Sequence, residues 1–267
     1  MPPPLSLPIG FGREPHIIAA LSVPVTDAGE IDFARFAQDV ARTVEFGIEP
    51  AVLMDTYQIN HCTQEQQVCG LEVTREVMAG RPFTAGVYIE DEVSGNDLDE
   101  IIRAYQRKIE LFETRYGGRP IIFQTAALRE ADAGTVVRVY REMAKASRGG
   151  LKAFELSPVF APNGWMFPGD SLIEILADEK WEGMKHSSLN PSMEWALLQK
   201  THRLDKRLYT GNDYDFASMI FNGSDALLGI ATFMPDKFRE LANALRDGDR
   251  LRFYDLAARM EFLGRVA

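Results

Sequence analysis

The chain has 267 residues, 46% of them hydrophobic, enough to bury the core of one large domain or two small ones. Its 39 acidic residues outnumber 29 basic ones, for a net charge of −10. That balance speaks against nucleic-acid binding, which needs a basic footprint, and suits a protein with small substrates. No apolar run is long enough to span a membrane, and the Pro-rich start, Met1 to Pro8, lacks the basic region and long apolar stretch of a signal peptide. The two cysteines, Cys62 and Cys69, lie seven apart in a segment with helical spacing. This predicts two reduced, buried thiols on one helix face, hence a cytoplasmic protein.

Residues 16–25 form a short apolar run ending around Pro24 and predict a buried first strand. Asp32 then precedes Phe33, Phe36, Val40 and Val44, a helix with a good N-cap that Gly47 ends. Residues 50–54 give strand two. Thr63 and Gln66 form a capping-box pattern for a helix to about Ala79. Strand three covers residues 83–88, and a long helix covers 98–116, stopped by Gly117-Gly118. Strands four to eight are expected at 120–125, 152–157, 181–186, 208–210 and 225–230. Helices fall at 132–146, 170–178, after Pro191 and at 214–222, with a helical last stretch broken near Gly248.

Eight strands, each followed by a helix, imply parallel pairing through crossover connections. The expected fold is α/β, a (β/α)8 TIM barrel with a C-terminal helical extension, formed as a single domain over residues 1–267. An N-terminal arm takes about 1–15 and the C-terminal helices about 235–267. A doubly wound open sheet is the alternative, but it more often carries a Gly-rich loop after strand one, where this chain reads Ser22-Val23-Pro24-Val25-Thr26.

A barrel places its chemistry at the C-terminal strand ends. Lys185, near the end of Trp181-Glu182-Gly183-Met184-Lys185-His186, would there point into the mouth. A desolvated lysine can act as an amine nucleophile toward carbonyl compounds; the alternative is an ammonium in solvent. On strand five, Ala153, Glu155 and Ser157 share one face, and the larger apolar pair Phe154 and Leu156 suits the helix side. Glu155 would then face inward as the acid/base partner of Lys185. An outward Glu155 or a purely structural ion pair stays open.

Asp55, Thr56 and Tyr57 end strand two as candidate substrate contacts, with capping or loop hydrogen bonding as the bland alternative. Thr210-Gly211-Asn212-Asp213 ends strand seven and equally suits a turn. Trp165, Met166 and Phe167 lie in a Gly/Pro loop after strand five, which reads as a lid, a subunit contact or packing on the rim. No His/Asp/Glu spacing forms a metal-ligand pattern.

These segments together resemble the dihydrodipicolinate synthase / N-acetylneuraminate lyase superfamily, class I aldolases on a TIM barrel, from about residue 16 to 262. The resemblance rests on Ala20-Leu21-Ser22-Val23-Pro24-Val25-Thr26 with Gly29-Glu30-Ile31-Asp32, on Gly183-Met184-Lys185-His186-Ser187-Ser188, on Gly211-Asn212-Asp213, and on Gly223 to Ile230 followed by Pro235. It implies an imine on Lys185, no metal or organic cofactor, a small-molecule substrate such as a 2-oxo acid or hydroxylated oxo compound, and a homo-oligomer (dimer or tetramer). It also implies substrate contacts at Thr56, Ser157, Asn212 and Gly229. The chain departs from the family where Met54-Asp55-Thr56-Tyr57-Gln58 replaces a Gly-Thr-Thr-Gly-Glu stretch, keeping only Thr56. Glu155 stands where the family has a proton-shuttling tyrosine, and the tyrosine expected after strand four is missing from Gln124-Thr125-Ala126-Ala127. The family's helical C-terminus is usually longer. The expected function is therefore a Schiff-base-forming lyase, aldolase or dehydratase that is not a standard dihydrodipicolinate synthase. The alternatives are a non-catalytic small-ligand-binding barrel and a metal-dependent sugar isomerase or epimerase using Glu155, His186 and Asp213.

Overall fold

β1 (Ile17–Ala20) consists of four fully apolar, buried residues, and the strand stops there although the apolar run continues. Pro24 has no N–H for a sheet ladder. Val25 instead pairs with Ile31 in an isolated antiparallel bridge, across a turn in which Gly29 takes φ 79°. The computed structural model describes residues 10, 12–93 and 95–266; most of the expected N-terminal arm lies outside these described residues.

The remaining strands are β2 (Glu49–Val52), β3 (Phe83–Val87), β4 (Gly118–Ile122), β5 (Leu151–Leu156), β6 (Trp181–Ser187), β7 (Arg207–Thr210) and β8 (Asp225–Leu228). All pair in parallel, in sequence order, and β8 closes on β1. Between them run α1 (Phe33–Glu45), α2 (Gln64–Met78), α3 (Leu98–Leu111), α4 (Ala133–Ala144), α5 (Ser171–Leu176), α6 (Pro191–Arg203) and α7 (Phe216–Phe221). α8 (Pro235–Arg246) completes the eighth unit and α9 (Arg250–Gly264) extends beyond it. This is the (β/α)8 barrel with a helical extension that the alternation implies.

The caps follow the sequence. Asp32 accepts the Arg35 N–H, and Thr63 and Gln66 form the reciprocal capping box. Besides β1, several boundaries differ from expectation, most by one or two residues. α3 ends at Leu111 and one π turn carries the chain to Gly117, whose φ of 72° turns it into β4. β4 is therefore shifted toward the N-terminus, and Gln124 and Thr125 leave the sheet. There Gln124 takes over loop hydrogen bonds, accepting the Leu156 N–H and donating to the Trp165 carbonyl. Strand eight stops at Leu228, and Ile230–Thr232 forms a short 3-10 turn.

Inside the barrel, Phe123 and Phe154 meet edge-to-face at 5.0 Å. Toward the N-terminal ends of the strands the filling turns polar. His16 bridges Glu49 (2.9 Å) and the Tyr209 hydroxyl (3.0 Å), Thr84 donates to Glu49 (2.7 Å), and Tyr209 donates to Glu182 (2.6 Å). The fully buried Lys152 ammonium lies 3.1 Å from Glu182. Burial alone would raise the Glu49 carboxyl, but its hydrogen bond to His16 and the Lys152 charge outweigh burial and bring it to about 2. The result is an ion-paired floor.

Candidate active site

β6 sends consecutive side chains to opposite sides of the barrel wall. Lys185 sits opposite Phe154 of β5 and Tyr209 of β7 in the strand register. It turns inward, its ammonium 4.3 Å from the centre of the Phe154 ring. Its side chain is 3% exposed, and its Nζ lies 3.2 Å from Asp55 Oδ1. Gly211 makes room for it: a methyl group there would come within 2.8 Å of Lys185 Cε and strike Ser187 Oγ.

The neighbouring residue, His186, points out to the helix layer and is fully buried there. Its Nδ1 is 2.6 Å from Glu155 Oε2, and its Nε2 is 2.6 Å from Ser188 Oγ. Glu155 accepts a further hydrogen bond from the Phe167 N–H, and Ser188 accepts one from the Asn190 N–H at the start of α6. Ser188, His186 and Glu155 thus form one hydrogen-bonded chain whose direction follows the imidazole tautomer.

The expected inward Glu155 is thus corrected. The register pairs Glu155 with His186 and Phe154 with Lys185, so Glu155 and Lys185 lie on opposite sides of the sheet. The premise that the larger apolar side chains face the helices fails because this interior takes Phe123 and Phe154. The metal reading loses its ligand set for the same reason, since Glu155 and His186 face the helices and Asp213 faces the mouth. Among the described residues, no three His, Cys, Asp or Glu side chains converge in a metal-binding group.

At the C-terminal mouth a cavity of about 250 Å3 gathers Asp55, Thr56, Lys185, Ser187, Asp213 and Gly229, with Phe160, Leu189 and Leu227 as apolar walls. Thr56 is held by donating to the Ala20 carbonyl at 3.0 Å. Asp213 Oδ1 accepts the Ile230 N–H at 3.3 Å. Burial pushes the Asp213 carboxyl up; the Ile230 N–H and Lys185 oppose this, and the Asp55 charge reinforces it. Gly229 faces Thr56 and Asp213, where a methyl would sit 3.0 Å from Thr56 Cγ2. Ser187 Oγ is buried and has no hydrogen-bond partner among the described residues. Gln58 and Leu189, both lining the cavity, have left-handed φ values of 62° and 58°, and Leu53, just before Asp55, has 55°. Such strain in non-glycine residues gathers at functional sites.

Of the residues expected from sequence, Lys185, Asp55, Thr56 and Gly229 meet in this cavity. Tyr57 does not: it is buried beneath α2, edge-on to Phe36 at 5.4 Å and against Gly70. Ser157 accepts the Val159 N–H in its own turn, and Asn212 accepts the Tyr214 N–H, so both hold loops rather than line the cavity. Ser187 and Asp213 complete the site. Alternation from Lys185 selects Ser187, and alternation from Tyr209 through Gly211 selects Asp213 over Asn212.

Trp165 and Phe167 are packed on the rim: the Trp165 indole donates to the Thr125 carbonyl, and Phe167 meets Tyr140 of α4 edge-to-face. Cys62 lies before α2 rather than in it, and both cysteines are half-buried and unbridged. A larger cavity, about 420 Å3, opens at the opposite end of the barrel beside the ionic floor. Much of its charge is internally paired, Arg207 with Asp225 (2.7 Å) and Arg239 with Glu14.

Solved structures share this architecture. A putative dihydrodipicolinate synthetase from Pseudomonas aeruginosa superposes with a TM-score of 0.77 at 16% identity, over 94% of this chain and 83% of that one. The dihydrodipicolinate synthase of Bacteroides thetaiotaomicron gives 0.76 at 15% identity, over 92% and 79%. A variant of the 2-keto-3-deoxygluconate aldolase of Sulfolobus solfataricus gives 0.71 at 17% identity, over 94% and 78%. The superfamily likeness read from the motifs is therefore found as a likeness of fold. No curated protein sequence matches the chain. Residues 16–266 match the family described as "Protein of unknown function (DUF993)", and the chain belongs to that family.

Proposed function

We propose that the protein is a lyase that forms a Schiff base between Lys185 and a small carbonyl compound. The observation that carries this is a single amine, buried to 3% exposure, held inside the mouth between Phe154 and Asp55 and opening into a cavity. The neighbours with a shared fold are named as a dihydrodipicolinate synthase and a 2-keto-3-deoxygluconate aldolase, and the keto compound in the second name supports the reading. The Lys185 ammonium passes a proton to Asp55 or water, and the free amine attacks the carbonyl carbon. The carbonyl oxygen is protonated and leaves as water when the C=N bond forms.

In a β-hydroxylated substrate the bond between the α and β carbons then breaks. Its electron pair moves toward the iminium to give an enamine, and the β-hydroxyl loses its proton to a carboxylate as it becomes the departing carbonyl. Protonation of the enamine and addition of water return Lys185 and the second product. If instead an α-proton is removed and the β-hydroxyl leaves as water, the same imine supports dehydration. Asp213 and Asp55 take the proton-transfer roles expected of Glu155.

Borohydride reduction with a panel of oxo acids and aldehydes is expected to trap an adduct that peptide mass spectrometry maps to Lys185. Lys185→Ala is expected to lose the adduct and all turnover while staying folded, because Asp55 is 22% exposed and keeps access to water. Full turnover in that variant would refute the mechanism. Ligand-induced stabilisation without adduct or turnover would favour the binding-barrel alternative.

Self-association and a reducing, cytoplasmic setting belong to the same proposal. Leu251, Tyr254, Phe262 and Leu263 leave exposed apolar surface on α9, and the two cysteines are unbridged. Light scattering that finds only a 29.9 kDa species would remove the oligomer.

A further inference from the structure

Resting on that imine chemistry, we infer that the substrate is a neutral polyhydroxylated aldehyde or ketone, with no carboxylate next to its carbonyl. Lys185 is the sole cation among the cavity-lining residues, and Asp55 and Asp213 are both carboxyls. An imine on Lys185 keeps one positive charge at most, and Asp55 already lies 3.2 Å from that nitrogen. A substrate carboxylate on the adjacent carbon would therefore share this space with Asp55, and no arginine, histidine or second lysine lines the cavity to balance it. Two like charges at such range cost more as water is excluded, so an oxo acid meets a repulsive site.

Hydroxyl groups fit instead. Carboxylate oxygens accept their protons, and Thr56, Gln58 and Tyr214 add neutral polar groups around the rim. Ser187 supplies the second, independent observation. It is 2% exposed, lines the cavity, and its hydroxyl has no hydrogen-bond partner among the described residues. A buried unsatisfied hydroxyl is costly, and a substrate hydroxyl removes that cost on binding. The volume of about 250 Å3 lies below the ~300–1,000 Å3 usual for drug-sized ligands, as a short polyol carbonyl requires.

The test uses a matched pair, dihydroxyacetone and hydroxypyruvate, which differ in a hydroxymethyl group against a carboxylate beside the ketone. Each is incubated with the full-length protein and borohydride, and the rate of adduct formation at Lys185 is read by intact mass. Dihydroxyacetone is expected to label at least about tenfold faster, a difference of about 1.4 kcal/mol. Asp55→Asn slows imine formation with both compounds by removing a proton acceptor, but is expected to narrow the ratio between them, because the carboxylate that repels hydroxypyruvate is gone. Equal or faster labelling by hydroxypyruvate in the parent protein overturns the substrate class while leaving imine chemistry standing. No adduct with either compound or with simple aldehydes, in a folded sample, overturns the imine reading and the substrate class with it.

Discussion

Glu194 of α6 is a carboxyl that the fold keeps from water without a full set of partners. It is 1% exposed, and its Oε1 has no hydrogen bond among the described residues. Burial pushes it up to about 7 against the opposing hydrogen bond to Thr210. Because its folded value lies above the 4.5 of an ordinary glutamate, the unfolded chain releases this proton first as pH rises. Stability from this group is therefore highest below about pH 4.5 and falls as pH rises through 7, by on the order of 3 kcal/mol. Glu194→Gln is expected to stabilise the protein at pH 8 and to be near neutral at pH 4 in chemical denaturation; an equal effect at both pH values would reject this account. At this scale the sequence reveals which residue types stand at strand ends, and Lys185, Asp55, Thr56 and Gly229 follow from that. It does not reveal strand phase, which depends on which side chains fill the interior. Reading the larger apolar residues as helix-facing puts Glu155 on the wrong face for that reason, and Tyr57 falls under α2 because the chain turns sharply after the left-handed Leu53.

β6 couples two environments through one stretch of backbone. Lys185 and Ser187 face the mouth, while His186 is tied to Glu155 and Ser188 behind the sheet. The loop that follows β5 joins this outer chain through the Phe167 N–H, so the rim helps to hold the strand that carries the lysine. β7 supplies the space in front. Gly211→Ala would press a methyl on Lys185 Cε and Ser187 Oγ. Displacing a nucleophile by about 1 Å can cost about 100-fold in rate, whereas overpacking of this kind costs about 1–3 kcal/mol of stability. The variant is expected to lose adduct formation by roughly that factor and to remain folded by circular dichroism; unchanged labelling would show that the stem is not confined. Strand and helix order was legible because apolar runs, caps and glycines repeat in register with the fold. The ends were not: β1 stops at Ala20, four residues before Pro24, and the π turn after α3 moves β4.

The barrel as a whole is closed at one end by charge and open at the other. Glu49, lowered to about 2, contributes stability that is present above about pH 4.5 and is lost as pH falls toward 2. That contribution is on the order of 3 kcal/mol, and Glu49→Gln is expected to flatten the acid limb of the stability curve over this range. An acid limb identical to the parent's would mean that the ionic floor carries no net weight. This floor was hidden in the sequence because His16, Glu49, Lys152, Glu182 and Tyr209 come from five separate segments that only closure of the barrel unites. With Phe123 and Phe154 stacked above it, the interior is a blind well. A cleavage reaction in such a well has one way out for two products. Under the proposed imine chemistry the fragment held on Lys185 would lie at the bottom, so the detached fragment would leave first, and its departure would gate the water that releases the second. Accumulation of the detached product is then expected to inhibit by re-forming the carbon–carbon bond, and the order of release becomes a property of the barrel's topology.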